Sequence, residues 1–187
     1  MGNSHYLLDA KSSQFTVQAF AEGLAGIADH RPKFSVGEFS GDVEFDRNQP
    51  SVGSLNLTAR SGSLEIVDEV AQRDRRAIER VMFDEVLHPE AFPEVSFRSS
   101  RVDCSQVGEN RYRAEMVGTF SLHGVEKRES IQAQVVVSDG SLRAYGEFRL
   151  RQTDYGLAIA SVAGGMLRIK NELKFVFFIV ARNENRA

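Results

Sequence analysis

The sequence contains no tryptophan, one cysteine and no long hydrophobic run, and each shortage excludes a class of protein. A single thiol, Cys104, allows no intramolecular disulfide and no zinc site made from several thiolates. The longest apolar run, 175–181, has the length of one strand, whereas a membrane-spanning helix needs roughly 18 residues. We therefore expect neither a disulfide-stabilised protein nor an integral membrane protein.

The chain also has little excess charge of either sign. Its 187 residues include 23 basic and 26 acidic side chains, which gives a net charge of −3. A weakly acidic chain has no electrostatic reason to bind nucleic acid or an anionic membrane surface. The first residues show no basic segment followed by an apolar run, so we see no signal peptide and expect a cytoplasmic protein.

What the sequence has in abundance is alternation of apolar and polar residues with a period of two, the pattern of half-buried β-strands. The clearest runs lie at 112–122, 131–138 and 142–151, and Asp139–Gly140 is typical of a tight turn between the last two. Shorter or rougher runs lie at 15–19, 34–45, 55–59, 95–99 and 167–180. About eight strands are enough to close a small barrel, although the pattern alone leaves a β-sandwich open. We therefore predict an all-β, eight-stranded antiparallel barrel that forms one domain over residues 1–187.

Two features interrupt this alternation. The inward parity switches at Gly37–Glu38, which predicts a bulge or a sharp bend in that strand. Between the fourth-strand region and the following strand, residues 74–87 have helical spacing, with Ile78, Val81, Met82 and Val86 on one side. Asp74 is the predicted N-cap, and Pro89 is predicted to end the helix. Its charged residues indicate a solvated face or, as a weaker alternative, a docking surface for a partner.

The residues that usually carry chemistry are scattered. No two of the four histidines, His5, His30, His88 and His123, are spaced as a local metal pair, although distant strands can still bring them together. Cys104 has no neighbouring thiol or base that would activate it as a nucleophile. We predict no catalytic residue, no metal ligand and no enzymatic activity.

Phenylalanine dominates the aromatic residues, with 13 Phe and 4 Tyr. Because Phe has no polar group, it suits either a packed core or an apolar ligand chamber, and the interior of an eight-stranded barrel can be either. Strand parity selects the candidate wall residues of such a chamber: Phe15, Val17, Phe39, Phe45, Phe97, Met116, Phe120 and Phe148. Tyr155 and His30, both near turns, are candidates for polar positions at its mouth, with structural packing as the alternative for Tyr155.

Several segments follow one another in an order and spacing that together are specific. They are Tyr6–Asp9, Ser12–Val17, Phe34–Asp46, Arg75–Phe97, Phe92–Ser99, Gly118–Val125 and Phe148–Gly156. Taken together, they resemble the YceI-like family of lipid- and polyisoprenoid-binding proteins over nearly the whole chain. The sequence departs from the family in two respects. Many members carry a secretion leader, which we do not see here, so the resemblance does not imply a periplasmic role. A histidine common near the end of the family's first strand is replaced around Ala19–Phe20, and the loop at 22–31 is longer, with His30 as the candidate for that polar position.

The resemblance implies a lipocalin-like barrel whose interior holds an isoprenoid, quinone-type or fatty-acid-type chain, with no catalytic machinery and no cofactor besides such a lipid. Our leading hypothesis is therefore a carrier or sequestering protein for a hydrophobic small molecule. The alternative is a stress-response or interaction module with a filled barrel, for which the basic helix face at Arg75 and Arg76 is the cue. An enzyme acting on the bound lipid is the least favoured hypothesis. The apolar outer face at Val176, Phe178 and Val180 favours a homodimer.

Overall fold

Eight antiparallel strands close into a barrel, and three of the eight are each broken into two shorter strands. The computed structural model describes residues 4–23, 31–138, 140–162 and 167–184. The described strands are β1 (Ser4–Leu8), β2 (Gln14–Gly23), β3 (Lys33–Val36), β4 (Phe39–Phe45), β5 (Ser54–Arg60), β6 (Leu64–Ile66), β7 (Glu94–Gly108), β8 (Arg111–Leu122), β9 (Val125–Ser138), β10 (Ser141–Leu150), β11 (Ser161–Val162) and β12 (Leu167–Asn183). The predicted fold class is confirmed.

Each of the three broken strands consists of two consecutive pieces, which are β1 and β2, β3 and β4, and β5 and β6. Both β1 and β2 lie antiparallel to β12, with Tyr6 opposite Asn183 and Phe15 opposite Phe177. The pieces of the other two broken strands pair in the same sequence on both sides of the break. In one half of the barrel β4 pairs with β1 and β5, and in the other half β3 pairs with β2 and β6. Because β1 pairs with both β4 and β12, the eight strands close into a ring.

The predicted interruption at Gly37–Glu38 is confirmed as the gap between β3 and β4. The Gly37 amide donates to the Ser63 carbonyl oxygen at 2.9 Å. A Cβ atom at Gly37 would lie 3.1 Å from that same oxygen, so the close approach of the two chains favours glycine. The bend separates the inward sets of β3 and β4, as the change of parity predicts.

The three regular alternating runs become β8, β9 and β10, which pair in sequence as a meander. Along β8, every second residue from Tyr112 to Leu122 is buried, and the residues between them are mostly exposed. Gly140 has a φ of 81°, as suits the predicted turn between β9 and β10, whereas Asp139 lies outside the described residues.

The barrel wall opens at one end between β6 and β7. Within the described chain β6 pairs with β3 alone, while β7 pairs with β5 from Arg60 opposite Glu94 onward. The connection between the two is helix α1 (Gln72–Val81), which continues into a π-helical turn (Met82–Leu87). The one predicted helix is thus confirmed and lies beside the opening.

The predicted N-cap of this helix is wrong. The helix begins at Gln72 with Ala71 as N-cap, and Asp74 lies in its first turn, where a carboxylate favours the positive end of the helix dipole. The Arg75 guanidinium donates to the backbone carbonyls of Ile66 and Asp68, which ties the first turn to the end of β6. The helical segment ends at Leu87, where the predicted spacing also ends. The next residue, His88, has a left-handed φ of 45°.

Candidate ligand-binding cavity

A large cavity lies at the open end of the barrel, under α1 and the π-helical turn. Its volume is about 1420 Å³, larger than the roughly 300–1,000 Å³ of typical small-molecule pockets. Eight of the described strands, the helix and the segment after β10 contribute to its lining. The hollow interior that the family resemblance implies is therefore present in this half of the barrel.

The inner wall of this cavity is apolar. Its deep end is formed by Phe15 from β2, Phe97 from β7, Phe120 from β8 and Phe175 from β12, all of them buried. These rings carry no polar atom, so a ligand portion placed among them gains by leaving water and has no hydrogen bond to satisfy.

The buried polar side chains at the cavity already have partners. Ser61 Oγ donates to the Phe92 carbonyl oxygen at 2.6 Å, and Gln152 Nε2 donates to the Lys170 carbonyl oxygen at 2.7 Å. Among the described residues, no buried side-chain nitrogen or oxygen lacks a hydrogen-bond partner. The deep wall therefore does not require polar groups on a ligand.

The rim of the cavity is charged with both signs. Its basic members are Arg31, Lys33, Arg60, Arg73 and Arg80, and its acidic members are Asp68, Glu69, Asp74 and Glu85. Arg80 pairs with Glu85 at 3.5 Å, and Arg60 pairs with Glu94 at 3.2 Å. Because the charges of these described residues nearly balance, together they create no strong field of one sign.

A family model for the YceI-like domain matches residues 6–181 of this chain. The chain belongs to the YceI-like family. No curated protein matches it in sequence. The resemblance seen in the ordered sequence motifs is thus confirmed.

Solved structures share the YceI-like fold at low sequence identity. The crystal structure of BcnA from Burkholderia cenocepacia has a TM-score of 0.72 at 16% identity, covering 92% of this chain and 98% of BcnA. A polyisoprenoid-binding domain from Saccharophagus degradans has a TM-score of 0.65 at 13% identity, covering 97% of this chain and 99% of that domain. The YceI protein of Campylobacter jejuni has a TM-score of 0.58 at 16% identity, covering 81% and 84% of the two chains.

The structure distributes the predicted wall residues over three locations in this YceI-like barrel. Phe15, Val17, Phe97 and Phe120 line the large cavity. Phe45 and Met116 line a second, smaller cavity of about 60 Å³ in the opposite half of the barrel. Phe39 and Phe148 are half-buried in the hydrophobic core and line neither cavity, and His30 lies outside the described residues. Whether these residues contact a ligand stays a prediction.

Tyr155, the other predicted mouth residue, lies inside the barrel wall. Its side chain is fully buried, and its ring packs edge-on against Phe120 at 5.7 Å between centroids. Its hydroxyl donates to Glu129 Oε1 at 2.7 Å. Burial and this carboxylate raise the pKa of Tyr155, so the hydroxyl stays protonated. The arrangement agrees with structural packing, the alternative for this residue.

The wall also includes residues absent from our prediction. The helix contributes Ile78, Val81 and Met82, and the segment after β10 contributes Leu157. The helical spacing of Ile78, Val81 and Met82 already places these side chains on one apolar face. Strand parity alone could not include them, because they lie outside the sheet.

The structure brings two of the scattered histidines together. His88 follows the π-helical turn, His123 lies between β8 and β9, and their nearest ring nitrogens are 3.3 Å apart. The described residues contain no group of three or more His, Cys, Asp or Glu side chains that could hold a metal ion.

Burial raises the pKa of the Cys104 thiol, which disfavours the reactive thiolate. No helix in the described chain is long and apolar enough to cross a membrane.

Proposed function

We propose that this YceI-like protein binds a hydrophobic, lipid-like molecule in the large cavity and carries or sequesters it without chemical conversion. The observation that carries the proposal is an apolar cavity of about 1420 Å³ whose buried polar side chains are already paired within the protein. Such a site selects for apolar surface on the ligand and against polar groups along its length.

An alkyl or prenyl chain fits this requirement. Burial of each methylene contributes roughly 0.8 kcal/mol, so even a modest chain can bind tightly without specific polar contacts. We propose an isoprenoid, quinone-type or fatty-acid-type chain, and the polyisoprenoid-binding domain of Saccharophagus degradans, which shares the fold, supports the first of these classes. The proposed orientation places the chain among Phe15, Phe97 and Phe120 and a polar head at the charged rim.

The proposed absence of catalysis rests on the chemistry of the lining. The groups nearest the deep wall are aromatic and aliphatic, and the titratable side chains are on the rim. A hydrolytic or transfer reaction needs a nucleophile or a general base within hydrogen-bonding reach of the reacting bond.

The proposal also includes a cytoplasmic location and a homodimer. The proposed dimer contact is the face around Phe178, which is 42% exposed.

The alternative of a filled barrel does not agree with the large cavity. A protein-interaction module built on a solid core would have side chains meeting on the axis, whereas the open half of this barrel leaves space under α1. The basic helix face at Arg75 also has a structural role, because that guanidinium holds the start of α1 to β6.

Native mass spectrometry after mild purification tests the proposal, followed by extraction and mass analysis of the released molecule. We expect an added mass that denaturation removes, and a rise in melting temperature when prenyl or fatty-acid lipids are added to stripped protein. Ala59→Phe narrows the cavity and is expected to weaken both signals, whereas Thr58→Phe, on the neighbouring residue outside the lining, is the matched control. A protein of clean apo mass that no lipid stabilises would refute the proposal.

A further inference from the structure

The two cavities of the barrel are separated by stacked phenylalanine rings. Phe15 lines the large cavity and Phe177 lines the small one. Their ring centroids are 6.1 Å apart and their planes differ by 19°, so one stacked pair stands between the two spaces. The residues come from the paired strands β2 and β12, where they are directly opposite each other.

The small cavity is a continuation of the same apolar interior. Its lining includes Ala114, Ala133 and Ala144 on three adjacent strands, together with Val43 and Leu55 from the opposite wall. Alanines at neighbouring inward positions leave space that larger residues would fill, and unfilled apolar space lowers stability. A void of this kind also lacks the polar partners that hold an ordered water. Because the small cavity lowers stability, its presence below the Phe15–Phe177 pair needs a functional explanation.

The position of the Phe177 ring depends on the absence of a side chain at Gly146. The two residues are opposite each other on β10 and β12, and a Cβ atom at Gly146 would lie 2.4 Å from Phe177 Cζ. The ring thus lies over the glycine of β10, and its centroid is 6.1 Å from that of Phe15 on β2, the strand on the other side of β12.

We propose that Phe177 is the specificity-determining residue that limits the length of the bound chain. The inference rests on the proposed function, since it assumes a lipid whose tail enters the deep end of the large cavity. In the wild-type protein the tail ends against the Phe15–Phe177 pair, and the small cavity stays beyond its reach. Without the Phe177 ring, the tail continues past Phe15 into the space lined by the alanines.

The test compares the affinities of saturated fatty acids that differ only in the number of methylenes, measured on delipidated full-length protein by calorimetry. For the wild type, affinity should rise about fourfold per methylene and then level off at a limiting length. Phe177→Ala should move this limit to longer chains, with about fourfold gained for each further methylene buried. Phe178→Ala is the matched control, because Phe178 is the next residue on β12, is 42% exposed and lines neither cavity. It should leave the limit unchanged.

Two further variants protect the test against loss of folding. Phe177→Leu is a milder truncation and should shift the limit in the same direction by a smaller amount. Adding Ala133→Leu to either variant refills the small cavity and should return the limit to the wild-type length. An unchanged limit in both folded Phe177 variants, with normal wild-type binding, would overturn the role of Phe177 while leaving the proposed function intact. Wild-type protein that binds neither fatty acids nor prenyl lipids of any length would overturn both.

Discussion

His88 Nδ1 lies 3.3 Å from His123 Nε2, so an imidazole pair joins the end of the helical segment to the turn between β8 and β9. Both residues have left-handed backbones, with φ values of 45° and 53°. The Phe92 ring packs on His123 at 4.1 Å between centroids, which fixes the second ring. The pair thus holds the segment that covers the cavity against the meander of long strands.

We predict that this pair destabilises the protein in acid. Burial and the neighbouring His88 lower the pKa of His123 from 6.5, and the backbone of Tyr155 offsets this only in part. Well above pH 6.5 the ring is neutral in both the folded and the unfolded chain. As the pH falls from 6.5 through the lowered pKa, the unfolded chain binds the proton more readily, so the free energy of unfolding decreases.

Urea unfolding at a series of pH values measures this effect. His123→Gln should show a smaller loss of unfolding free energy than the wild type over the same acidic window. His88→Gln should act in the same direction, since it removes the repelling charge while His123 remains. Parallel pH profiles for wild type and His123→Gln would contradict the prediction.

A second histidine should have the opposite pH dependence. His5 on β1 lies 2.9 Å from Glu184 Oε2 and 3.5 Å from Asp42 Oδ2, and the Glu184 hydrogen bond is the main cause of its raised pKa. Its contribution to stability is fully present below pH 6.5 and is lost as the pH rises through the raised pKa. His5→Gln should remove this loss, and an NMR titration of the His5 ring should give a midpoint above 6.5. The stability change should be small because these groups are exposed.

The regular half of this fold could be predicted from the sequence, and the broken half only in outline. From β8 to β10 the strands are long and half-buried, so the period of two gives both their existence and their inward faces. The shorter strands are interrupted where the chain bends, as at Gly37. At such a bend the inward residues switch parity, so the alternation in one half of a strand does not predict the inward face of the other half. Local capping rules start α1 at Asp74, whereas the structure starts it at Gln72, in a first turn that Arg75 bonds to the end of β6.

Strand parity could identify inward residues but not their depth along the barrel axis. Phe15, Phe148 and Met116 were assigned to one wall, yet the first lines the large cavity, the second packs in the core, and the third lines the small cavity. Depth depends on the register between strands that are distant in sequence, such as the pairing of Phe15 with Phe177. The approach of His88 to His123 depends on the same long-range geometry, so spacing along the chain gave no sign of it.

We predict that Tyr155→Phe destabilises the fold without weakening lipid binding. The substitution removes the hydroxyl that donates to Glu129 at 2.7 Å, and hydrogen bonds to charged groups contribute about 1.5–3 kcal/mol. Because Tyr155 lines neither cavity, the affinity of folded protein for a bound chain should be unchanged. Tyr145→Phe, at a site that is 48% exposed, is the matched control and should be nearly neutral. A loss of affinity in folded Tyr155→Phe protein would instead support the original assignment of this residue to the mouth.

The last prediction concerns the glycine beneath the aromatic pair. Gly146→Ala would place a Cβ atom 2.3 Å from the Gln132 carbonyl oxygen and 2.4 Å from Phe177 Cζ, so both neighbours must move. We expect a loss of about 1–3 kcal/mol in the free energy of unfolding, as for other overpacked sites. Gly62→Ala is the control, since its nearest neighbour is Pro89 Cβ at 3.4 Å, an ordinary contact.

A double-mutant cycle separates the two contacts of that new methyl group. In a Phe177→Ala background the ring is gone but the Gln132 carbonyl remains, so Gly146→Ala should cost less than in the wild type without becoming neutral. Denaturant unfolding of the four proteins gives the coupling free energy. Strict additivity would mean that the Phe177 ring moves aside freely, and a ring with that freedom could not define where the bound chain ends.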